Sequence, residues 1–293
     1  MQYTIQNDHL AVTADTHGAE LVSVVSKSTG TQMLWNADPK VWNRHAPILF
    51  PYAGKLQGSQ YRLDGETYTG GGHGFARDSE FTAVEVTPEK LSFCLIWNED
   101  TLRKFPRKFR LTVSYTLSGK TVQERVEVAN LDEKELRFGL GYHPGFMLPF
   151  DDQHTTEDYE LRFDTPQSPD EVLFESAFMT HNTRPYMKNS TSIALNDRMF
   201  DNDSICLQGL TAKTVSLTEK DTGRSISIDL TGFPYFIFWS SPNQEKLQFL
   251  CLEPWHTHPD MTDSDGDWNH KACAAELAPQ EHWISNLNIT FDR

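Results

Sequence analysis

The chain has 293 residues, of which 38% are hydrophobic and 12% aromatic, and its formal net charge is -15. The mean hydropathy is -0.53, and no apolar run approaches the length that spans a bilayer, which is typical of a soluble globular protein. The acidic charge argues against nucleic acid or a membrane surface as partner, because binding to polyphosphate depends on a basic patch, but it leaves a small-molecule ligand open.

The N-terminus and the cysteines indicate the cellular compartment in which the protein is found. Residues 1–6 contain neither a basic region nor an apolar segment of the kind that forms a secretion signal. The four cysteines are widely spaced, without a Cys-x-x-Cys pair, and mostly lie in apolar surroundings; they are Cys94, Cys206, Cys251 and Cys273. This pattern favours reduced, buried thiols over a disulfide framework or a zinc site, so we expect a cytoplasmic protein.

Strand and turn signals follow one another along almost the whole chain. Residues 4–6 and 10–14 flank an Asn-Asp turn, and residues 20–26 run through a turn to 32–35. Asp64-Gly65 is the strongest short hairpin signal. Further alternating runs, which predict strands, cover 80–86, 91–97, 109–117, 121–129, 215–218 and 225–230.

Helical periodicity is weak by comparison. Residues 99–105 predict one short helix ended by Pro106, and residues 272–277 predict another. The glycine cluster at 70–74 is not followed by a helix, so it predicts a loop rather than a nucleotide-binding turn. Segments 150–157 and 165–170 predict long loops. We therefore predict an all-β fold, with residues 1–293 forming one antiparallel domain of two large sheets stacked face to face, with few short helices.

The segment that contains Glu253 carries the first candidate site. Four largely apolar residues, 249–252, predict a buried strand, and Pro254 cannot donate a hydrogen bond to a neighbouring strand. The sequence therefore predicts a strand that ends at Glu253. Trp255 follows, and an indole offers sugar C–H groups a flat apolar face together with one N–H donor. The alternative is an edge strand whose glutamate caps a turn, which is the commoner role of a single acidic residue there.

Arg44 and His143 are two further candidates. Arg44 precedes an apolar run, 47–51, that has a proline at each end. The alternative for Arg44 is an exposed ion pair at a sheet edge. His143 leaves an apolar run into a Pro-Gly turn, where a lone histidine is more often structural than catalytic.

The glycine-rich segment supplies the last candidates. Glycines on both sides of His73 allow the backbone to approach a ligand closely. Phe75 and Arg77 alternate with His73, so the three side chains would share one face of an extended segment. Two histidines, a glutamate and two arginines beside glycine or proline form a set that a purely structural explanation fits poorly.

The order of these motifs resembles the aldose 1-epimerase (galactose mutarotase) superfamily, and within it the LacX-like branch of shorter bacterial proteins. The resemblance covers essentially the whole chain and rests on Arg44…Pro47-Ile48-Leu49-Phe50-Pro51, His73-Gly74-Phe75-Ala76-Arg77, His143-Pro144-Gly145-Phe146 and Leu252-Glu253-Pro254-Trp255. It implies a single large galactose mutarotase-like β-supersandwich that interconverts the α and β anomers of a free aldose, without metal or organic cofactor.

The resemblance also assigns roles to single residues. The motifs match Glu253 to a general base, His143 to a general acid, His73 to a substrate-orienting histidine near the ring oxygen, and Arg44 to a substrate-binding arginine. The family has a substrate-binding aspartate in a segment that corresponds to residues 198–205 of this chain. The register of that segment is not fixed by the sequence, so Asp201 and Asp203 are both candidates.

Three alternatives stay open. Arg77 also occurs in relatives that act on hexose 6-phosphates, where arginines suit a phosphate through paired hydrogen bonds. A carbohydrate-binding or sensing protein without turnover would keep Arg44 and Trp255, but it would not need an acid and a base together. A metalloenzyme could use His256, His258 and Asp260 with His73 or His143, although nearby prolines disfavour the strand that such a site requires. The sequence leaves the sugar and the oligomeric state open.

Overall fold

The computed structural model of the protein describes residues 1–292, and most of its regular structure is antiparallel strand. A short helix, α1 (Glu99–Lys104), and 3₁₀ turns at Gln57–Ser59, Ala76–Asp78, Thr156–Asp158 and Trp268–His270 interrupt the strands. The strands, in chain order, are β1 (Gln2–Gln6), β2 (Leu10–Asp15), β3 (Leu21–Ser26), β4 (Ile48–Leu49), β5 (Gln60–Leu63), β6 (Glu66–Thr69), β7 (Thr82–Val86), β8 (Lys90–Ile96), β9 (Phe109–Ser118), β10 (Thr121–Asn130), β11 (Leu136–Phe138), β12 (Gly141–Tyr142), β13 (Gly145–Met147), β14 (Tyr159–Gln167), β15 (Asp170–Glu175), β16 (Phe178–Pro185), β17 (Ser190–Ala194), β18 (Ile205–Gln208), β19 (Thr214–Glu219), β20 (Ser225–Asp229), β21 (Tyr235–Trp239), β22 (Phe249–Trp255), β23 (Ala275–Leu277) and β24 (His282–Asp292).

Two large sheets dominate the described residues, which confirms the predicted all-β class. One sheet has nine strands in the order β17-β14-β19-β20-β24-β10-β9-β8-β7. The other has eight strands, ordered β16-β15-β18-β21-β22-β12-β4, with β13 as a further partner of β22. One apolar core extends from Ile5 to Phe291. Burial alternates along β9 and β10, as a strand with one face on a core requires.

Most elements with local sequence signals form as predicted, whereas residues 32–35, the expected continuation of the first strands, make only isolated bridges to Val25 and Phe146. Strands β1 and β2, β5 and β6, β9 and β10, and β19 and β20 all pair as antiparallel neighbours. The predicted helix is α1, whose first turn is capped by the Asn98 side chain, which accepts N–H groups from Asp100 and Thr101. The helix ends before Pro106, which cannot continue its hydrogen bonding.

Three further local predictions are wrong. No helix forms at 272–277, because Ala275–Leu277 pairs as a strand with β11. Segment 165–170 is not a long loop, since β14 continues to Gln167, whose side chain accepts the N–H of Thr211 at 2.8 Å. Strand β22 does not end at Glu253 but continues through Pro254, which lies opposite Phe236 of β21. In all three segments, contacts with residues distant in sequence outweigh the local conformational preference.

Two features relate to the predicted compartment. Among residues 1–292, no helix is long and apolar enough to cross a membrane. The cysteines are free thiols, three of them buried and Cys273 half-buried.

Glu124, on β10, is a buried acid within the core. Only 1% of its surface is exposed. The Tyr115 hydroxyl lies 3.1 Å from Glu124 Oε1 and 2.8 Å from the carbonyl oxygen of Ala19. A hydroxyl has one proton and cannot donate it to both oxygens, so a protonated Glu124 completes the second hydrogen bond. Burial accordingly raises the pKa of Glu124 from 4.5 to about 8.

Glu124→Gln should therefore stabilise the protein, and the gain should grow with pH. The pKa of Glu124 is higher in the folded than in the unfolded state, so the contribution of Glu124 to stability is fully present below about pH 4.5 and is lost as the pH rises through about 8. The loss reaches up to about 1.4 kcal/mol per pH unit within that window. Chemical denaturation of both proteins at several pH values measures the difference, and a pH-independent difference would contradict this assignment.

Candidate active site

A cavity of about 250 Å³ opens beside strand β22 of the eight-stranded sheet. Its walls include six of the residues that the sequence singled out: His73, Arg77, His143, Asp203, Glu253 and Trp255. Arg44 and Asp201 do not line it. These six residues come from segments that are up to 182 positions apart in sequence, counted from His73 to Trp255.

Glu253 and His143 are in direct contact in the cavity wall. The distance between His143 Nε2 and Glu253 Oε2 is 3.2 Å. Glu253 is 1% exposed and His143 is 8% exposed. Strand β12 places His143 beside β22, because Gly141 pairs with Trp255. A side chain at Gly141 would put a Cβ atom 2.7 Å from Cδ1 of Trp255, so glycine is needed where the two strands approach.

Burial changes the acidity of both members of this pair. It raises the pKa of Glu253 well above 4.5, and the nearby charge of Asp203 adds to that effect, while the indole N–H of Trp255 opposes it. Burial lowers the pKa of His143 to about 3. A carboxyl beside a neutral imidazole holds the same number of protons as a carboxylate beside an imidazolium. The pair therefore favours one shared proton and no net charge.

His73 is held as a neutral hydrogen-bond donor. Its Nδ1 accepts the backbone N–H of Gly54 at 3.0 Å. The hydrogen of the neutral ring is consequently on Nε2. Burial, together with the neighbouring His143 and Arg77 side chains, lowers the pKa of His73 well below 6.5. The ring thus presents an N–H group to the cavity.

The segment around His73 is not extended, so the prediction that His73, Phe75 and Arg77 share one face is wrong. His73 and Gly74 have φ angles of 64° and 70°. A Cβ atom at Gly74 would lie 2.1 Å from the carbonyl oxygen of Phe50, which only glycine avoids. The chain then enters the 3₁₀ turn Ala76–Asp78. Phe75 is buried in the core, whereas Arg77 reaches the cavity.

The two predicted arginines occupy different positions. Arg77 lines the cavity, and its Nη2 donates to the carbonyl oxygen of Gly72 at 2.8 Å. Arg44 lies behind Arg77, with Nη1 at 3.3 Å from the Arg77 carbonyl oxygen and Nη2 at 2.6 Å from Oδ1 of Asp78. The contacts of Arg44 therefore support the Arg77 segment.

The structure also separates the two candidate aspartates. Asp203 lines the cavity and has a φ angle of 86°. Asp201 lies outside it, 3.2 Å from Nε of Arg198. Asp203 is thus the one of the two that can contact a molecule in the cavity.

Trp42, Trp239 and Lys55 are among the cavity residues that the sequence analysis missed. The indole of Trp42 stacks on the His143 ring, with a centroid distance of 5.0 Å and an interplanar angle of 25°. Trp239 meets the same ring edge-on at 5.8 Å. The only sequence signal for Trp42 was its position two residues before Arg44.

The histidines that follow Trp255 have separate partners. His256 Nε2 is 2.8 Å from Oγ of Ser285, and His258 Nδ1 is 2.6 Å from the carbonyl oxygen of Pro259. Asp260 forms an ion pair with Lys271 at 2.6 Å. These contacts direct the three side chains to different neighbours.

Comparison with known proteins identifies the family to which the chain belongs. The sequence model of the aldose 1-epimerase family matches residues 1–271. The chain belongs to the aldose 1-epimerase family. Within it, the chain is 34% identical to the chromosomal protein LacX of Lactococcus lactis subsp. lactis over 300 residues, which cover 99% of each protein. The resemblance found in the sequence is therefore confirmed.

Solved structures of similar proteins give the same result for the fold. A galactose mutarotase related enzyme from Lactobacillus acidophilus superimposes with a TM-score of 0.95 at 32% identity, covering 100% of this chain and 98% of that one. A galactose mutarotase-like protein from Lactobacillus casei has a TM-score of 0.90 at 29% identity, covering 99% of each chain. The aldose 1-epimerase family fold thus spans the chain.

In this member of the aldose 1-epimerase family, the cavity holds positive charge although the whole chain is acidic. Lys55 and Arg77 both line it. Lys55 has no ion-pair partner within residues 1–292, whereas Arg77 lies 3.8 Å from the carboxylate of Asp78. The negative groups that face them are Asp203 and Glu253. Burial favours the protonated, uncharged form of Glu253. The net charge of the cavity is therefore more positive than the two basic and two acidic side chains would give if all were ionised.

Proposed function

We propose that the protein is an aldose 1-epimerase, which interconverts the α and β anomers of a hexose by general acid/base catalysis. One group takes the proton of the O1 hydroxyl, the C1=O1 double bond forms, and the bond between C1 and the ring oxygen breaks. A second group gives a proton to the ring oxygen. Rotation about C1–C2 and the reverse transfers then close the ring on the other face of C1.

The observation that carries this proposal is the contact between Glu253 and His143. Their side chains lie side by side, 3.2 Å apart, in the wall of one cavity. O1 and the ring oxygen are bonded to the same carbon, so two adjacent groups can reach both. In the proposed roles Glu253 is the base and His143 the acid, and the proton that they share allows either direction of the reaction.

Other cavity residues would hold the sugar. His73 offers an N–H donor to the ring oxygen, and Asp203 offers an acceptor to hydroxyl groups. The indole of Trp255 would supply a flat apolar face for sugar C–H groups. Arg77 would contact a hydroxyl group or a charged substituent, and Arg44 would hold the Arg77 segment in place.

Exchange NMR on freshly dissolved aldoses tests the proposal directly. The approach to anomeric equilibrium should accelerate in proportion to protein concentration for at least one hexose. Saturable sugar binding without acceleration would instead identify a carbohydrate-binding or sensing protein. Acceleration of no aldose or aldose phosphate would reject the enzymatic function.

A hexose 6-phosphate is a second candidate substrate, because Lys55 has no ion-pair partner within the described residues and lies in the same cavity as Arg77. If the substrate is a phosphate, Lys55→Ala should lower kcat/KM for glucose 6-phosphate by about tenfold, the effect of a lost charge-assisted hydrogen bond. The rate with free glucose should change little. Lys90→Ala, at a lysine paired with Glu85 on the other sheet, is the matched control. Equal losses for glucose and its phosphate would contradict this candidate.

We also propose that the chain acts as one domain in the cytoplasm. One apolar core includes residues from both ends of the described chain, Ile5 to Phe291. Four free thiols suit a reducing compartment. Limited proteolysis that released two stable fragments would contradict the single domain.

A further inference from the structure

Cys251 adds a third possible metal ligand to the pair that the proposed mechanism uses. Cys251 and Glu253 are alternate residues of β22, so their side chains point to the same side of the strand. One ligand atom from each of His143, Cys251 and Glu253 lies within 4.8 Å of the other two. All three residues are buried. The proposed epimerase chemistry has no use for the thiol.

The distances among these atoms suit a tetrahedral divalent cation. Zinc binds nitrogen and oxygen ligands at about 2.0–2.1 Å and sulfur at about 2.3 Å, so tetrahedral ligands lie about 3.3 Å (N to O) and about 3.6 Å (S to N) apart. The observed distance between His143 Nε2 and Glu253 Oε2 is 3.2 Å. One ligand atom of each of the three residues already lies within 4.8 Å of the other two, which exceeds the ideal spacing between sulfur and nitrogen by about 1.2 Å. The fourth position would face the cavity.

The charges of these groups also suit such an ion. A thiolate, a carboxylate and a neutral imidazole together carry two negative charges, which balance a divalent cation in a buried site. Binding releases the thiol proton of Cys251 and the proton shared by Glu253 and His143. The donor set of one sulfur, one nitrogen and one oxygen favours zinc or cadmium over magnesium or calcium, which prefer oxygen ligands.

We propose that His143, Cys251 and Glu253 form an inhibitory site for a thiophilic divalent cation. The metal occupies the two groups that transfer protons, so metal binding and anomer exchange exclude each other. The inhibition rests on the proposed function, whereas the binding site itself does not.

Titration of metal-free protein with Cd²⁺ tests the site, because a cadmium–thiolate bond produces an ultraviolet charge-transfer band. The titration uses the Cys273→Ala background, since Cys273 is half-buried and its sulfur lies 3.8 Å from Glu276 Oε1. We expect one Cd²⁺ per chain. The further substitution Cys251→Ala should remove the band and weaken Cd²⁺ binding at least about 100-fold. Losing a direct ligand should cost no less than losing a residue that only hydrogen-bonds to a ligand. Cys206→Ala, at another buried thiol, is the matched control and should keep the band.

The outcomes separate the two proposals. An unchanged cadmium band in the Cys251→Ala protein, or no band before that substitution, would overturn the metal site whatever the protein catalyses. A band with one Cd²⁺ bound supports the site even if no sugar is converted. Anomer exchange that continues at full rate with saturating Cd²⁺ would overturn the inhibition.

Discussion

Glu253→Gln should lower catalysed anomer exchange by about 10²–10⁴-fold, the usual contribution of a positioned proton-transfer group. Glutamine has the same shape as glutamate but cannot accept the proton of the O1 hydroxyl. Because burial favours the uncharged carboxyl, the substitution removes no charge on which the fold depends. Sugar affinity, measured by calorimetry, should therefore change only a few-fold while the rate measured by exchange NMR collapses.

The matched control for this substitution is Glu124→Gln. It makes the same chemical change at another glutamate that is 1% exposed, in the core and outside the cavity. That variant should keep the wild-type rate. A Glu253→Gln protein that binds sugar and still exchanges anomers at the wild-type rate would exclude Glu253 as the base.

The parts of the fold that the sequence predicted have their causes within a few neighbouring residues. Asp64-Gly65 forms its hairpin because both residues take the left-handed conformation that the turn requires, with φ angles of 54° and 85°. Helix α1 has its cap and its terminating proline within the same short segment. Residues 275–277 are strand only because β11, about 140 positions earlier, supplies the partner. Pro254 continues a strand because β21 pairs with it on one side.

The same distinction applies to the candidate site. Glu253, His143 and His73 stood out because glycine or proline beside each gives a local signal. The stacking of Trp42 on His143 joins residues about 100 positions apart and leaves no pattern in either segment. The choice between Asp201 and Asp203 depends on a left-handed residue, which the amino-acid letters do not reveal. Arg44 was grouped with the cavity residues, although its guanidinium pairs with Asp78 behind them.

His143→Asn should also lower anomer exchange by about 10²–10⁴-fold, since asparagine cannot supply a proton to the ring oxygen. The more informative measurement is the double variant with Glu253→Gln. Because the two side chains share one proton across 3.2 Å, they are expected to act as a unit. The double variant should then be hardly slower than either single variant, whereas independent groups would multiply their losses.

His256→Asn is the matched control for this histidine, because His256 is half-buried and its Nε2 contacts Ser285 on β24, outside the cavity. It should keep the wild-type rate of exchange. If the double variant lost the product of the two single effects, Glu253 and His143 would be contributing separately, and the shared-proton mechanism would be wrong even with both residues essential. The kinetics of four proteins, the wild type, the two single variants and the double variant, therefore distinguish a coupled pair from two independent catalysts that happen to touch.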